Sequence, residues 1–205
     1  MSLVVGVDVS NWQGTVNWQQ VAASGVQFGI CKSTEGVTYR DPYFRQNWSG
    51  MAAAGIARGS YHFAQPDLNS PEAEAHFWLE HLDLAGGLAP GDLLALDLET
   101  GYGDVSDWTL RCLGAVAALV GFKPLVYSGR WYMDDHGLTH DEELATHGLW
   151  LASYGTVPEP PPFWDFYAIW QFTCEGRVPG VAGPCDMNLA NVETIEQLKR
   201  YGLPG

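Results

Sequence analysis

Short apolar segments alternate with helical stretches along most of the chain. Eight apolar segments predict strands, at positions 4–9, 28–32, 59–63, 93–99, 124–127, 149–152, 167–172 and, more weakly, around residue 186. Five stretches with helical patterning fall at roughly 16–23, 42–55, 71–84, 105–120 and 191–200. This alternation predicts a parallel sheet covered by helices, and eight such strands are enough to close a barrel.

The last third of the chain departs from this alternation. The run V-P-E-P-P-P at 157–162 cannot form a helix, because proline lacks the backbone donor and clashes with the preceding turn. Residues 172–186 also have no helical pattern. We therefore expect an α/β fold, a single modified (β/α) barrel of eight strands and about five helices, with the last strands joined by loops. No repeat or linker divides the chain, so residues 1–205 are predicted to form one domain.

Two of the predicted helices have recognisable ends. Ser70 is expected to cap the third helix, with Pro71 at its first position. Glu72 and Glu74 then fall in the first turn, where a negative charge interacts favourably with the helix dipole. Gly121 is expected to end the fourth helix in a left-handed conformation.

Alternation within two strands separates apolar from acidic positions. In the first strand the valines at 5, 7 and 9 share one face, and Asp8 lies on the other. In the fourth, the leucines at 94, 96 and 98 lie opposite Asp97 and Glu99. The aliphatic rows are suited to packing under helices, so the carboxylates are predicted to point into the barrel. They sit at the C-terminal ends of strands, the face that holds the active site in such barrels.

Asp97 and Glu99 are the leading candidates for chemistry. On one strand their Cα atoms lie only about 6.6 Å apart. Like charges this close in a partly dry cleft raise at least one pKa, which gives a protonated acid beside an ionised carboxylate. An isolated Asp-x-Glu is more often a solvated strand end or a metal site. Its position after an aliphatic run, with Asp8 on the equivalent face of another strand, favours an acid pair for glycoside hydrolysis.

The composition narrows the choice of partners. Of the 205 residues 46% are hydrophobic and 17% charged, and the formal net charge is −14. So acidic a surface argues against nucleic-acid binding and against anionic membranes, and no apolar run is long enough to insert into a bilayer. Cys31 and Cys112 lie among apolar neighbours and are expected to be buried and reduced, whereas Cys174 and Cys185 are candidates for one disulfide.

Aromatic residues near strand ends favour a sugar substrate. The chain has nine Trp and nine Tyr, and the candidates for contact with a pyranose ring are Tyr61, Tyr127, Trp150, Tyr154 and Trp170. Flat rings with a polar edge match the faces of sugars, although any single aromatic is more often a core residue.

Other kinds of chemistry find little support. The segment D-D-H at 134–136 has metal-ligand residue types, but a solvated loop is the better interpretation. There is no serine nucleophile elbow, phosphate-binding loop or dinucleotide-binding glycine pattern. We therefore predict neither a metal nor a cofactor.

Seven motifs along the chain resemble those of glycoside hydrolase family 25, the Chalaropsis-type lysozymes. They occur in the family's order, as G-V-D-V-S-N-W-Q-G (6–14), K-S-T-E-G (32–36), G-S-Y-H-F (59–63), L-D-L-E (96–99), W-L-A-S-Y (150–154), I-W-Q-F (169–172) and C-D-M-N (185–188). The resemblance implies a helix-poor variant of the α/β barrel. It also implies hydrolysis of the β-1,4 bond between N-acetylmuramic acid and N-acetylglucosamine in peptidoglycan.

The resemblance also assigns roles to individual residues. Glu99 matches the general acid and Asp97 its partner carboxylate, while Asp8 and Asp186 match other acids that line the cleft. Tyr61 and Lys32 match residues near the sugar. Asp97 has three candidate roles, which are to orient a substrate N-acetyl group for attack, to stabilise an oxocarbenium-like transition state, or to assist water.

Two alternatives to this lysozyme interpretation remain open at this stage. One is a catalytically silent module that binds peptidoglycan, which would be expected to lose the acids. The other is a hydrolase of a chitin-like glycan. The sequence shows no signal peptide, so we expect an endolysin that is made in the cytoplasm, is released through a phage holin and acts on the bacterial cell wall. A monomer is the default expectation.

Overall fold

A computed structural model describes residues 4–205 of the chain. The expectation that the chain starts without a signal peptide concerns residues that lie partly outside this range. The strands are β1 (Val4–Val9), β2 (Phe28–Glu35), β3 (Tyr39–Arg40), β4 (Ala57–Phe63), β5 (Leu93–Asp97), β6 (Leu125–Gly129), β7 (Leu149–Ala152), β8 (Ile169–Gly176) and β9 (Cys185–Ala190). The helices are α1 (Trp18–Ala23), α2 (Phe44–Ala53), α3 (Pro71–Leu84), α4 (Ser106–Val120), α5 (Arg130–Asp135) and α6 (Ile195–Leu198).

Eight of the strands close a barrel, as the sequence predicts. Their order around the ring is β1-β9-β8-β7-β6-β5-β4-β2, and β2 pairs with β1 to complete it. The two-residue strand β3 is an additional edge on β2. The sheet is parallel except that β9 runs antiparallel to both β1 and β8, and β3 antiparallel to β2. The parallel arrangement predicted from the alternation is therefore present in the first part of the barrel, and β9 departs from it where a short loop connection allows the chain to reverse.

The predicted helices are present, with differences at two places. Ser70 caps α3 with Pro71 in its first turn, and Gly121 ends α4 with a left-handed φ of 82°. Helix α5 was not predicted. The helix predicted at 191–200 is only the short α6, followed by a 3₁₀ turn at Lys199–Tyr201.

The barrel wall separates two apolar layers. Val7, Val9 and the leucines at 94, 96 and 98 pack in the layer between the sheet and the helices. A smaller layer fills the inside of the barrel and includes Phe28 and Trp150. Gly6 faces this interior, because a Cβ there would lie 2.3 Å from the Phe28 ring. The predicted assignment of strand faces is thus confirmed, and the inside of the barrel is filled by a packed apolar core.

Loops connect the last three strands, as predicted. Residues 153–168 join β7 to β8, and residues 177–184 join β8 to β9. Cys174 is exposed and Cys185 buried, and both are free, so the structure shows no disulfide between them. None of the helices in residues 4–205 is long and apolar enough to cross a membrane.

Candidate active site

Four carboxyl groups meet at one end of the barrel. Asp8 lies near the end of β1, Asp97 ends β5, and Glu99 follows two residues later. Asp186 comes from the beginning of β9, which reaches the same end because β9 is antiparallel and pairs Asp186 with Asp8. The four groups line a pocket of about 160 Å³, completed by Tyr61, Tyr127, Trp150, Tyr154 and Gln171.

Hydrogen bonds on both sides hold the chain where Asp97 and Glu99 leave the strand. The backbone N–H of Ala64 donates to the Asp97 carbonyl over 2.9 Å. Leu98 donates its N–H to the Tyr127 carbonyl over 3.0 Å, and its own carbonyl accepts from the buried Ser128 hydroxyl over 2.7 Å. The segment therefore keeps strand-like alternation past the end of β5, which places both acidic side chains in the pocket.

Asp97 and Glu99 lie close enough to share a hydrogen bond. Burial raises the pKa of Asp97 well above its usual range, and the charge of Glu99 raises it further. Burial also raises the pKa of Glu99, while a hydrogen bond with Asp97 and the charge of Lys32 oppose that rise. Two carboxyls can share a hydrogen bond only when one carries the proton. The pair is therefore expected to keep one proton to a higher pH than two separate carboxyl groups would, and the greater rise in pKa is at the more deeply buried Asp97.

Asp8 and Asp186 form a second pair on the opposite wall. Burial raises the pKa of Asp8 well above its usual range, and the charge of Asp186 adds to this. Burial also raises the pKa of Asp186, and its hydrogen bond with Asp8 opposes the rise. One oxygen of Asp8 accepts from Gln171 Nε2 at 2.9 Å and from Asn188 Nδ2 at 2.8 Å. These two bonds fix the carboxyl plane of Asp8.

The two amides that bind Asp8 also hydrogen-bond to the aromatic side chains of the pocket. Gln171 Oε1 accepts from the hydroxyls of Tyr127 at 2.9 Å and Tyr154 at 3.0 Å. Asn188 Oδ1 accepts from Trp150 Nε1 at 2.7 Å. Since the indole N–H is only a donor, Asn188 must turn its oxygen to Trp150, and its amide nitrogen then faces Asp8. The network therefore fixes both the amide orientation and the positions of the rings.

Aromatic rings form the side of the pocket, as predicted. The ring centroids of Tyr127 and Trp150 are 4.4 Å apart, and Tyr61 meets Trp150 edge-on at 6.4 Å. Tyr154 completes the rim and is half exposed. Burial raises the pKa of Tyr61 and of Tyr127 well above the usual range, so both hydroxyls stay protonated as donors.

Lys32 lies beside the pocket without lining it. Its ammonium group is paired with Glu35 at 2.6 Å and sits over the Phe63 ring at 4.6 Å. Its charge lowers the pKa values of both Asp97 and Glu99 against the effect of burial. The structure thus places Lys32 as a nearby positive charge held by its own partner.

Trp170 is the candidate that the structure keeps away from the pocket. It alternates with Gln171 along β8, and Gln171 is the one that faces the carboxyls. The Trp170 indole instead donates to the Ser153 carbonyl at 2.7 Å and packs near Phe172. A sugar in the pocket would not meet it, and we leave Trp170 out of the proposed binding residues.

Sequence reasoning missed Gln171 and Asn188. Gln171 belongs to the motif I-W-Q-F and Asn188 to the motif C-D-M-N. Strand alternation places Asn188 on the same face of β9 as Asp186, and Gln171 lines the pocket. A single sequence could not identify these amides, however, because their hydrogen bonds to Asp8 depend on which strands lie next to β1. The expectation of a loop at 134–136 is wrong, because Asp134 and Asp135 form the end of helix α5 and His136 follows it. Asp134 is paired with Arg130 one turn earlier, and His136 Nδ1 donates to the Gly103 carbonyl at 2.7 Å.

Comparisons with known proteins agree with this geometry. Residues 7–181 match the sequence profile of glycosyl hydrolases family 25. Lysozyme M1 of Streptomyces globisporus is 33% identical over 209 residues, covering 92% of this chain and 68% of that protein. A bacterial lysozyme structure from Streptomyces coelicolor has a TM-score of 0.87 at 29% identity, covering 98% of this chain and 100% of that one. The crystal structure of the CTP1L endolysin has a TM-score of 0.82 at 32% identity, covering 96% and 69% respectively.

The matched residues include Asp8, Asp97 and Glu99 and end before Asp186. The barrel fold is therefore shared with the solved lysozyme structures. The chain belongs to glycosyl hydrolases family 25.

Proposed function

We propose that this protein is a muramidase that hydrolyses the β-1,4 bond between N-acetylmuramic acid and N-acetylglucosamine in peptidoglycan. The observation that carries the proposal is the pocket in which Asp97 and Glu99 lie within hydrogen-bonding reach of each other, beside Asp8, Asp186 and a wall of aromatic rings. Relatives named as lysozymes and muramidases support it. The retained acids argue against a silent binding module.

Glu99 is the proposed general acid. It is the less buried member of its pair and stands at the rim, where a glycosidic oxygen crossing the pocket mouth can reach it. As the bond between C1 of the muramic acid and O4 of the glucosamine breaks, O4 takes the proton of Glu99. The resulting Glu99 carboxylate then accepts a proton from the water that attacks C1, which restores the acid.

Asp97 is too close to Glu99 for the usual second-carboxylate roles. A nucleophile in a retaining glycosidase stands about 5–5.5 Å from the acid, and a base in an inverting enzyme about 6.5–9.5 Å. Asp97 and Glu99 are instead within hydrogen-bonding reach. Asp97 Oδ1 is moreover buried with no hydrogen-bond partner among the described residues. An N–H of the substrate acetamido group would satisfy this oxygen and orient the acetyl carbonyl oxygen to attack C1.

The contact between the acetamido N–H and Asp97 would also move the proton of the pair to Glu99. A donor hydrogen-bonded to Asp97 favours its ionised form and lowers its pKa. Glu99 then becomes the member of the pair that holds the proton. Asp8 and Asp186 would face the positive charge that develops on the reacting sugar from the other wall of the pocket.

Digestion of purified peptidoglycan tests the bond specificity. The products are reduced with borohydride and identified by mass spectrometry, with the Glu99→Gln protein as control. We expect reduced muramic acid ends with the wild type only. Reduced glucosamine ends would mean that another glycosidic bond is cut, and binding without cleavage would favour the silent module. Cutting of a chitin chain in preference to peptidoglycan would favour the chitin-like substrate.

The N-acetyl route has a test of its own. Attack by the acetamido oxygen forms a cyclic intermediate that water opens from the opposite face, so the first product keeps the β configuration. We expect proton NMR to show the β anomer first, and we expect glycan with free amino groups on its muramic acids to resist cleavage. An α anomer as first product, or normal cleavage of the de-acetylated glycan, would contradict the route.

We also infer where the enzyme works. Family relatives include an endolysin, which supports action on the bacterial cell wall from a site of synthesis in the cytoplasm, with release through a phage holin. We treat residues 1–205 as a single catalytic domain that acts as a monomer without a metal or cofactor. Peptidoglycan glycan strands are then its partner.

A further inference from the structure

A second space opens directly beside the catalytic pocket. This groove has a volume of about 600 Å³ and is lined by Glu99, Tyr127, Gly129, Arg130, Trp131, Asp134, Ala152, Ser153 and Tyr154. Three of these residues, Glu99, Tyr127 and Tyr154, also line the catalytic pocket. The two spaces are therefore continuous, and Glu99 stands at their junction.

Trp131 forms an exposed but ordered wall of the groove. Its side chain is 64% exposed, yet its indole packs against the backbone of Gly129, where a Cβ would lie 2.9 Å from the indole nitrogen. The buried ring of Tyr132 supports it edge-on at a centroid distance of 5.7 Å. Because the ring is already held in place, a ligand that stacks on it loses little side-chain entropy in doing so.

Polar groups flank this ring. Arg130 Nε donates to both oxygens of Asp134, at 3.0 and 2.9 Å, which fixes the guanidinium plane. Its terminal nitrogens have no hydrogen-bond partner among the described residues. An apolar platform beside fixed donors and acceptors matches a sugar, which has apolar faces and hydroxyl groups around its edge.

The small size of the catalytic pocket indicates that the substrate also binds outside it. Its volume of about 160 Å³ is below the roughly 300–1,000 Å³ of most small-molecule sites, whereas the groove falls within that range. The three aspartates line only the pocket, so the sugar that develops positive charge belongs there. Glu99 lies between the two spaces, and the sugar that leaves with its proton belongs in the groove.

We propose that the Trp131 groove binds the leaving sugar, an N-acetylglucosamine unit of the glycan strand, with its ring stacked on Trp131. This rests on the proposed muramidase activity and assigns the direction in which the strand crosses the site. Arg130 and Asp134 then bind the hydroxyl or acetamido groups at the edge of that sugar.

Oxidative footprinting tests the contact directly. The Glu99→Gln protein is saturated with a peptide-free tetrasaccharide of alternating N-acetylglucosamine and N-acetylmuramic acid, with saturation checked by calorimetry. It is then treated briefly with N-bromosuccinimide, and oxidation of Trp131 is measured by peptide mass spectrometry. We expect Trp131 to react several-fold more slowly with the saccharide bound than in the free protein.

Matched variants supply the energetic test. Trp131→Ala should lower kcat/KM on peptide-free glycan strands about 3–10-fold, the range expected for one lost aromatic stack. Trp131→Phe should retain most of the activity. Phe166→Ala is the control, since Phe166 is also about half exposed but precedes β8 at the opposite end of the barrel. We expect it to leave kcat/KM unchanged, and melting temperatures check that all variants fold.

The outcomes separate this proposal from the proposed function. If the wild type cuts the glycan but bound saccharide leaves Trp131 as reactive as before, the groove assignment is wrong and the muramidase activity stands. Equal kcat/KM for Trp131→Ala and the wild type would also overturn the assignment. If the wild type neither cuts nor binds the glycan, both proposals fail.

Discussion

Asp97 is held in an unfavourable state at the centre of the site. The residue is only 4% exposed, one carboxyl oxygen lacks a hydrogen-bond partner in the described part of the chain, and the carboxyl of Glu99 lies against it. Burying such a group costs folding free energy unless it stays protonated. Strain of this kind persists where the reaction needs it, so activity and stability are expected to oppose each other at this position.

Asp97→Asn should change activity and stability in opposite directions. We expect activity to fall by at least about 100-fold, because the amide cannot accept and release the shared proton. The free energy of unfolding at pH 7 should rise by about 1–3 kcal/mol, since the amide needs neither to take up a proton on folding nor to bury a charge. Turnover of peptidoglycan and urea denaturation measure the two effects.

The pH dependence and a control variant sharpen this prediction. The folded-state pKa of Asp97 lies above its unfolded value, so its contribution to stability is full at low pH and is lost as pH rises through the folded pKa. The advantage of Asp97→Asn should therefore shrink between pH 7 and pH 4. Asp92→Asn is the control, because Asp92 is buried but paired with Arg58 at 2.8 Å. It should lose about 3 kcal/mol of stability. A loss of stability in both variants would contradict the account of Asp97.

At this scale the sequence indicates some site residues and hides others. Asp8, Asp97 and Glu99 could be placed because each alternates with aliphatic neighbours on a strand. Trp170 was misplaced, since its nearness to a strand end says nothing about which face it occupies. Trp131 gave no signal at all, because its role depends on how the chain folds back over Gly129 after β6.

Among the elements, the first turn of α3 contains two glutamates with different roles, although the helix dipole predicts the same role for both. Glu72 and Glu74 were both predicted to interact favourably with the helix dipole from the first turn. Glu72 does lie at the surface, paired with Arg111. Glu74 is fully buried, where His62 Nε2 lies 2.8 Å from its carboxylate and Asn69 Nδ2 donates over 2.8 Å. It also accepts from the backbone N–H of Gln65, so it ties α3 to the loop after β4.

These two glutamates make a matched pair for a stability test. Glu74→Gln should lower the free energy of unfolding by about 3–5 kcal/mol, because it leaves buried donors without their acceptor charge. Glu72→Gln, two residues away and exposed, should change it little. Chemical denaturation of both variants measures the difference. Equal effects would mean that the buried contacts of Glu74 add nothing to stability.

Strands and long helices were predicted well because each buries one repeated face. The limits of β1 and β7 agree with the prediction, as do those of α3. Helix α5 was missed, since six residues are too few for a periodic signal. The direction of β9 could not be predicted either, because its connection is a loop that permits either orientation.

For the molecule as a whole, the net charge of −14 sets a condition on activity. Cell walls that contain anionic polymers repel such a surface, and salt screens this repulsion within a Debye length of about 8–10 Å at physiological ionic strength. We expect cleavage of intact walls to increase when salt or a divalent cation is raised from low levels. Short neutral glycan fragments are the control and should show a much smaller change. A rate on intact walls that falls over the same range would contradict this expectation.

The central claim is that the Asp97–Glu99 pair cuts the muramic acid glycoside. The most direct measurement compares the wild type with Glu99→Gln on one purified peptidoglycan, with the release of reduced muramic acid ends followed over time. We predict that the variant binds the glycan but releases these ends about 100- to 10,000-fold more slowly, which is the usual contribution of a general acid. Release at a rate close to that of the wild type would show that another group donates the proton.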